Sequence, residues 1–345
     1  LFLEETIKTK IMRRNFIYGL VFFLAIFSSC KSNKNIEIGF LIHSSVNARW
    51  KMDVNYLEER AKAIGATLIM RDAQSDENLQ LKQANELLEL GVDVLVVVAA
   101  NQNTAGGIVR AAHEKNVKVI SYDRLIKNAD LDYLISFEYE KVGEQMVEYV
   151  TDRIPTGNCI ILWGDANDAN AQFIKAGQES ALEAVTKKGQ LKIVHKAYIE
   201  NWDQSTSLHV MNRIMDRINE KIDAVISSNI PLGLGACISL QGHGYGPGEV
   251  VITGMDATKD FILSMNSGGM TMSVIKPIKE LAYGAIDLAV DVVNDKNINF
   301  TKTVFNGRID VPAKLFAPTV IDKSNYRDVL VDKGFFTAAE IDAMN

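Results

Sequence analysis

Three cysteines, five histidines and no excess of basic residues leave little room for several common chemistries. With Cys30 in the N-terminal segment, only Cys159 and Cys237 remain for the folded body, which excludes a disulfide framework. Cys159 falls in a strand-like run and Cys237 in a helix-like one, so they read as two separately buried thiols. The histidines, His43, His113, His195, His209 and His243, lack metal-ligand spacing. A formal charge of -6 without any Lys/Arg-rich run speaks against a nucleic-acid footprint, which needs a concentrated basic face. The segment IEIGFLIHSS has no G-x-G-x-x-G turn, which excludes a Rossmann-type dehydrogenase. DANDANAQ looks like a calcium loop, but from Asp165 the fifth, sixth and twelfth positions are Ala169, Asn170 and Ala176, which fail as ligands. GHGYGPG (242–248) runs from helix into strand, the reverse of a phosphate cradle, and reads as a turn.

What is present begins with an export signal. From Met12 the chain reads MRRNFIYGLVFFLAIFSSC: two arginines, an apolar stretch from Phe16 to Phe27, small residues, then Cys30. The stretch is too short to span a bilayer as a stable helix and suits a signal-peptide core. Small residues just before a cysteine resemble the bacterial lipoprotein cleavage box, which makes Cys30 a lipid anchor, residues 1–30 upstream translation plus signal peptide, and 31–35 a tether. A helix-turn-helix headpiece, which a ligand-sensing transcription factor needs, has no place there.

The remaining chain is long enough for two domains, and its 47% apolar and 23% charged residues describe an ordinary globular protein. Short apolar runs read as buried parallel strands: IEIGFLI, ATLIMRD, VDVLVVV, VKVISYD, DYLISF, NCIILWG, KIVHKAY, AVISS, EVVITGM and TMSVI. Between most of them lie stretches of helical length, such as NLQLKQANELLELG, where Leu79, Ala84, Leu87, Leu88 and Leu90 recur at helical spacing before Gly91. Alternation of this kind predicts α/β lobes, each an open parallel sheet with helices on both faces; the number of runs is high for one sheet and comfortable for two. The first crossing is expected near Phe137. NGRIDVPAKLFAP returns to strand character near the C-terminus.

Ligands of such sheets collect at the carboxyl ends of the strands, where loops vary over a rigid base. Those ends carry Arg49 and Trp50, Asp123 and Arg124, Asp168 and Asn170, then Trp202, Asn229, Asp256 and Lys276. The set suits a sugar: carboxylates, amides and guanidinium groups pair with neighbouring hydroxyls, and indole faces stack on the C–H patches of a pyranose. Trp163, inside a strand, reads as core.

From Ile36 onward the sequence resembles the bacterial periplasmic D-xylose-binding proteins, a family of type I sugar-binding proteins that serve ABC transporters. The resemblance rests on ARWKMD (48–53), GVDVLVVVAAN (91–101), VKVISYDRLIKNADLDYLISFEYEKVGE (117–144), GDANDANAQFIKAG (164–177), the region of Trp202, KIDAVISSN (221–229), ITGMDA (252–257), VIKPI (274–278) and DVPAKLFAP (310–318). It implies two lobes joined by a three-strand hinge and closing over one sugar, with residues 36–137 plus 277–309 in the N-terminal lobe and 138–276 plus 310–345 in the C-terminal lobe. Arg49, Trp50, Asp123 and Arg124 would line one half of the cleft, with Arg124 fixed by its acidic surroundings; Asp168, Asn170, Trp202, Asn229, Asp256 and Lys276 would line the other half and the hinge side. The chain departs from the family pattern at Ile230 and Pro231, where an acid usually follows the asparagine, and at HSSVN, where an acid-rich stretch precedes the arginine. The implied protein is a periplasmic monomeric lipoprotein without enzymatic activity, cofactor or metal. It would deliver a pentose, D-xylose, to a permease; the alternatives are signalling through a separate receptor or binding another monosaccharide such as ribose, arabinose or glucose.

Overall fold

The computed structural model describes residues 35–46, 48–187, 189–300 and 302–344. The expected leader, Cys30 and all of the tether but Asn35 lie outside them. The ten apolar runs all form strands: β1 (Glu37–Ile42), β2 (Thr67–Asp72), β3 (Val94–Val97), β4 (Lys118–Tyr122), β5 (Tyr133–Phe137), β6 (Gly157–Trp163), β7 (Leu191–Tyr198), β8 (Ala224–Ser227), β9 (Val251–Ile252) and β10 (Met272–Ile275). Three further strands follow: β11 (Lys302–Phe305), β12 (Asp310–Phe316) and β13 (Thr319–Asp322).

The first lobe is built on one sheet in the order β11-β12-β5-β4-β3-β1-β2, parallel except for β11, which runs against β12. The second sheet runs β7-β6-β8-β9 in parallel. A bridge between Met255 and Val274 extends it to the antiparallel pair β10-β13. Central strands such as Val94–Val97 and Ala224–Ser227 are buried throughout, as strands covered on both faces must be. The chain crosses between sheets three times: from β5 into the helix Tyr139–Arg153, from β10 into the helix Ile278–Val293, and from β12 into β13. The last crossing corrects an expectation. Residues from 310 on are assigned to the second lobe by the sequence reading, yet Gly307, at φ +95°, turns the chain back so that β12 lies beside β5 in the first sheet. Only after Phe316 does the chain pass to the second lobe, whose core receives Tyr326, Leu330 and Ile341 from the C-terminal helices.

In the helix Glu77–Leu90, capped by Asp76 and ended by a left-handed Gly91, Ala84, Leu87 and Leu88 are buried while Leu90 is exposed. Gln80 and Gln83 take buried places instead, because Gln80 Nε2 donates to Val98 O at 2.9 Å and Gln83 Nε2 to Asp72 O at 2.8 Å. In the second lobe the helices Tyr139–Arg153 and Ala169–Lys187 touch backbone to backbone. A Cβ on Gly143 would lie 2.0 Å from Ile174 O, and one on Gly177 would lie 1.9 Å from Glu140 O. Cys159 and Cys237 are free and buried; burial pushes their thiols up to about 12 and about 11. Trp163 is core, its Nε1 donating to Gln178 Oε1 at 2.9 Å.

Candidate functional site

A cavity of about 840 Å³ lies between the lobes, and every residue singled out at the strand ends lines it: Arg49, Trp50, Asp123, Arg124, Asp168, Asn170, Trp202, Asn229, Asp256 and Lys276. From the first lobe, β1 runs into the helix Ala48–Ile64, whose opening residues carry Arg49 and Trp50. Arg49 sits between two fully buried carboxylates, ion-paired with Asp123 and, at 3.1 Å, with Asp53. Its guanidinium carbon lies 4.1 Å from the centre of the Trp50 ring, a cation–π geometry.

Asp123 is the organising residue. It sits just beyond β4 at φ +63°, a conformation costly for a non-glycine residue. Two bonds impose it: Asp123 N donates to Ile135 O at 2.8 Å, and Ser136 Oγ donates to Asp123 O at 2.7 Å. Its carboxylate accepts from Tyr139 Oη at 2.6 Å and from Asn170 Nδ2, in the other lobe, at 3.0 Å. Burial alone would raise the Asp123 carboxyl; Arg49, then Lys276, outweigh it and hold the pKa at about 2. Asp53 has the opposite fate, because burial outweighs the help from Arg49 and Tyr122 and pushes it up to about 6. The sequence reading expects Arg124 to be the cation held by acidic surroundings. Instead Arg49 neutralises Asp123, while Arg124 Nη1 donates to Ala99 O at 3.2 Å.

From the second lobe, Asp168 Oδ1 accepts from Asn170 N at 2.8 Å, turning the chain into the helix Ala169–Lys187. Trp202 has φ +57° and its ring covers Gly164, where a Cβ would sit 2.3 Å from ring atoms, so only glycine fits beneath it. Asn229 caps the helix Ile230–Gly242, its Oδ1 accepting from Leu232 N at 3.0 Å, and Pro231 occupies the first turn, where its missing N–H costs nothing. Capping occupies the acceptor of Asn229 and leaves its amide donor for a ligand. Ile230 and Pro231 both line the cavity. Asp256, at φ +88°, is ion-paired at 2.9 Å with Lys276, which is only 3% exposed.

Several lining residues were not anticipated. His43 follows β1 directly, packs edge-on against Trp50 with centroids 4.8 Å apart, and is held neutral, its pKa lowered to about 3 by burial and then by Arg124. Its position at a strand end is the signal that could have found it. Tyr139, Phe335 and Phe336 also line the cavity; the last two come from a turn between C-terminal helices and carry no strand-end signal. Among the described residues no His/Cys/Asp/Glu cluster could hold a metal ion.

Two α/β lobes enclosing a polar, aromatic-lined cavity define a two-lobe ligand-binding protein. The periplasmic binding protein domain family matches residues 38–297, and the chain belongs to it. It is 34% identical over 308 residues to the D-xylose-binding periplasmic protein of Escherichia coli (strain K12), a match covering 89% of this chain and 93% of the relative. It is 32% identical to the D-xylose-binding periplasmic protein of Haemophilus influenzae, covering 93% of this chain and 97% of the relative. A solved ABC transporter solute-binding protein from Clostridium phytofermentans, with bound β-D-glucose, superposes with a TM-score of 0.79 at 27% identity, covering 88% of this chain and 99% of that one.

Proposed function

We propose that the protein is an extracytoplasmic solute-binding lipoprotein that captures a pentose, D-xylose, between its lobes and hands it to an ABC permease. The observation that carries this reading is the convergence, in one interlobe cavity, of Arg49, Asp123, Asn170, Asn229, Asp256 and Lys276 with the two indoles Trp50 and Trp202. Acceptors, donors and flat apolar faces are what a pyranose needs on its hydroxyl edge and its ring faces. The lobes, 36–137 plus 277–316 and 138–276 plus 317–345, would move about the three crossings, and the sugar would favour the arrangement in which both lobes touch it. Cys30 would carry the lipid that keeps the protein at the membrane on the periplasmic side; the wild-type chain should then partition with membranes and Cys30→Ser should not. Nothing in this scheme requires chemistry on the sugar, so no enzymatic step is assigned.

Calorimetry against xylose, ribose, arabinose, glucose and galactose tests the pentose assignment. Xylose should bind most tightly and shrink the radius of gyration in small-angle scattering, because a pentopyranose lacks the exocyclic carbon that would hold the lobes apart. The bound glucose in the Clostridium phytofermentans structure favours a hexose as the second reading. Equal affinity and equal compaction with glucose would decide for that reading against xylose.

A further inference from the structure

Gln102 does not line the cavity, yet its side chain spans from one lobe to the other. Its Nε2 donates to Asn167 O at 2.6 Å, and its Oε1 accepts from Ala169 N at 3.2 Å. We propose that Gln102 is a positioning residue for ligand capture, a clamp from the first lobe that holds the 167–170 segment of the second lobe over the binding cavity. The inference rests on the sugar-binding reading above and adds a determinant outside the site.

Both ends of the clamp are prepared for it. On the first lobe, Gln102 belongs to the segment that follows β3, and that segment is braced by a buried glutamine: Gln80 Nε2 donates to Val98 O at 2.9 Å and Gln80 Oε1 accepts from Ala100 N at 2.8 Å. Gln102's own carbonyl accepts from Lys127 N at 2.8 Å, so its backbone is fixed before its side chain reaches out. On the second lobe, Ala169 opens the helix Ala169–Lys187, and a first-turn amide has no partner inside its own helix. The opposite lobe supplies that partner. A primary amide is the side chain suited to this, since one group must both donate to a carbonyl and accept from an N–H two residues further on.

What the clamp steadies are ligand-facing residues. Asn170, next after Ala169, reaches Asp123 across the cleft at 3.0 Å. Asp165 accepts from Asn167 N at 2.8 Å and from Asn201 N at 2.9 Å, so the same loop is tied to the turn that presents Trp202. The bonds of Gln102 to Asn167 and Ala169, and that of Asn170 to Asp123, exist only while the lobes touch, and contacts made in one of two arrangements bias the equilibrium toward it. Such contacts act on release more than on encounter.

The test is stopped-flow tryptophan fluorescence with D-xylose on the full chain. Gln102→Ala should release the sugar about tenfold faster with association changed less than about twofold, as expected for two hydrogen bonds of ordinary strength at a half-exposed position. Gln102→Glu keeps an acceptor for Ala169 N but loses the donor to Asn167 O, and should also release faster than wild type. In an Asn170→Ala background Gln102→Ala should cost much less than in wild type, because the residue it positions is gone. An unchanged release rate in Gln102→Ala, or losses that simply multiply, would overturn the clamp. If the wild-type chain binds no monosaccharide, the sugar reading fails on its own. The clamp is then judged by hydrogen exchange of the Ala169 amide, which must be faster in Gln102→Ala than in wild type.

Discussion

Asp123 and Asp256 are built by the same device in the two lobes and put to different electrostatic use. Each follows a strand end with positive φ, each donates its N–H to a neighbouring strand carbonyl, Ile135 O or Val274 O, and each has its own carbonyl held by a serine of that strand, Ser136 Oγ at 2.7 Å or Ser273 Oγ at 2.6 Å. In both cases the bracing strand, β5 or β10, is the one that leads into a crossing between lobes. The environments then diverge. Asp123 is 1% exposed and bonded to Arg49, Tyr139 and Asn170, whereas the side chain of Asp256 is 33% exposed and paired with Lys276. Matching backbones with unequal burial mean that one aspartate organises the site and the other is more accessible to a ligand.

The largest effect should separate the two. Asp123→Ala removes one of the two carboxylates ion-paired with buried Arg49, and breaking a buried pair costs about 3–5 kcal/mol of stability. Asp256→Ala leaves Lys276 within the field of Asp123, which already feels it, and should cost about 1.5 kcal/mol while abolishing sugar binding. Chemical denaturation of both variants measures the difference, and equal costs would erase the distinction between the two aspartates. A smaller effect sharpens the role of the cation next to Asp123. Arg124→Ala should remain folded and lose about 1.5–3 kcal/mol of sugar affinity, the worth of a charge-assisted hydrogen bond, read by calorimetry.

The smallest effect concerns acid. His43, with its pKa lowered from 6.5 to about 3, contributes stability that is present above pH 6.5 and is lost as pH falls toward 3, since the unfolded chain takes up the proton first. His43→Asn should remove that loss, about 2 kcal/mol at pH 5 at most, and so hold up better than wild type as pH falls. Asp123, lowered from 3.8 to about 2, loses its own contribution only below 3.8, whereas Asp53, raised from 3.8 to about 6, adds stability as pH falls through 6 in wild type and variant alike, opposing the His43 loss. Denaturation midpoints of wild type and variant between pH 7 and 4 give the comparison; parallel curves would exclude His43 as the source.

Much of this was legible in the sequence. Parallel strands buried on both faces leave continuous apolar runs, and the polar residues directly after them gather at one end of each sheet, which is why residues from Arg49 to Lys276 could be named before their neighbours were known. Partnership was not legible. Nothing in spacing says that Arg49 and not Arg124 neutralises Asp123, that Asn170 reaches the opposite lobe, or that Gln80 and Gln83 are interior residues, because those facts depend on tertiary approach. The return of β12 to the first sheet was hidden for the same reason: a hairpin at Gly307 reads identically whichever sheet receives it.

The paired glycines Gly143 and Gly177 make the second lobe a lever. The helix Tyr139–Arg153 begins at a crossing between lobes, and the helix it touches backbone to backbone carries Asn170 at its opening turn. With no side chain between them to yield, the two helices must travel together, so a swing at the crossing arrives at Asn170 without slack. A methyl added at either glycine would lengthen one arm of that lever. The damage would register as a misplaced amide in the sugar cavity, far from the changed residue, in a protein whose binding residues are all intact.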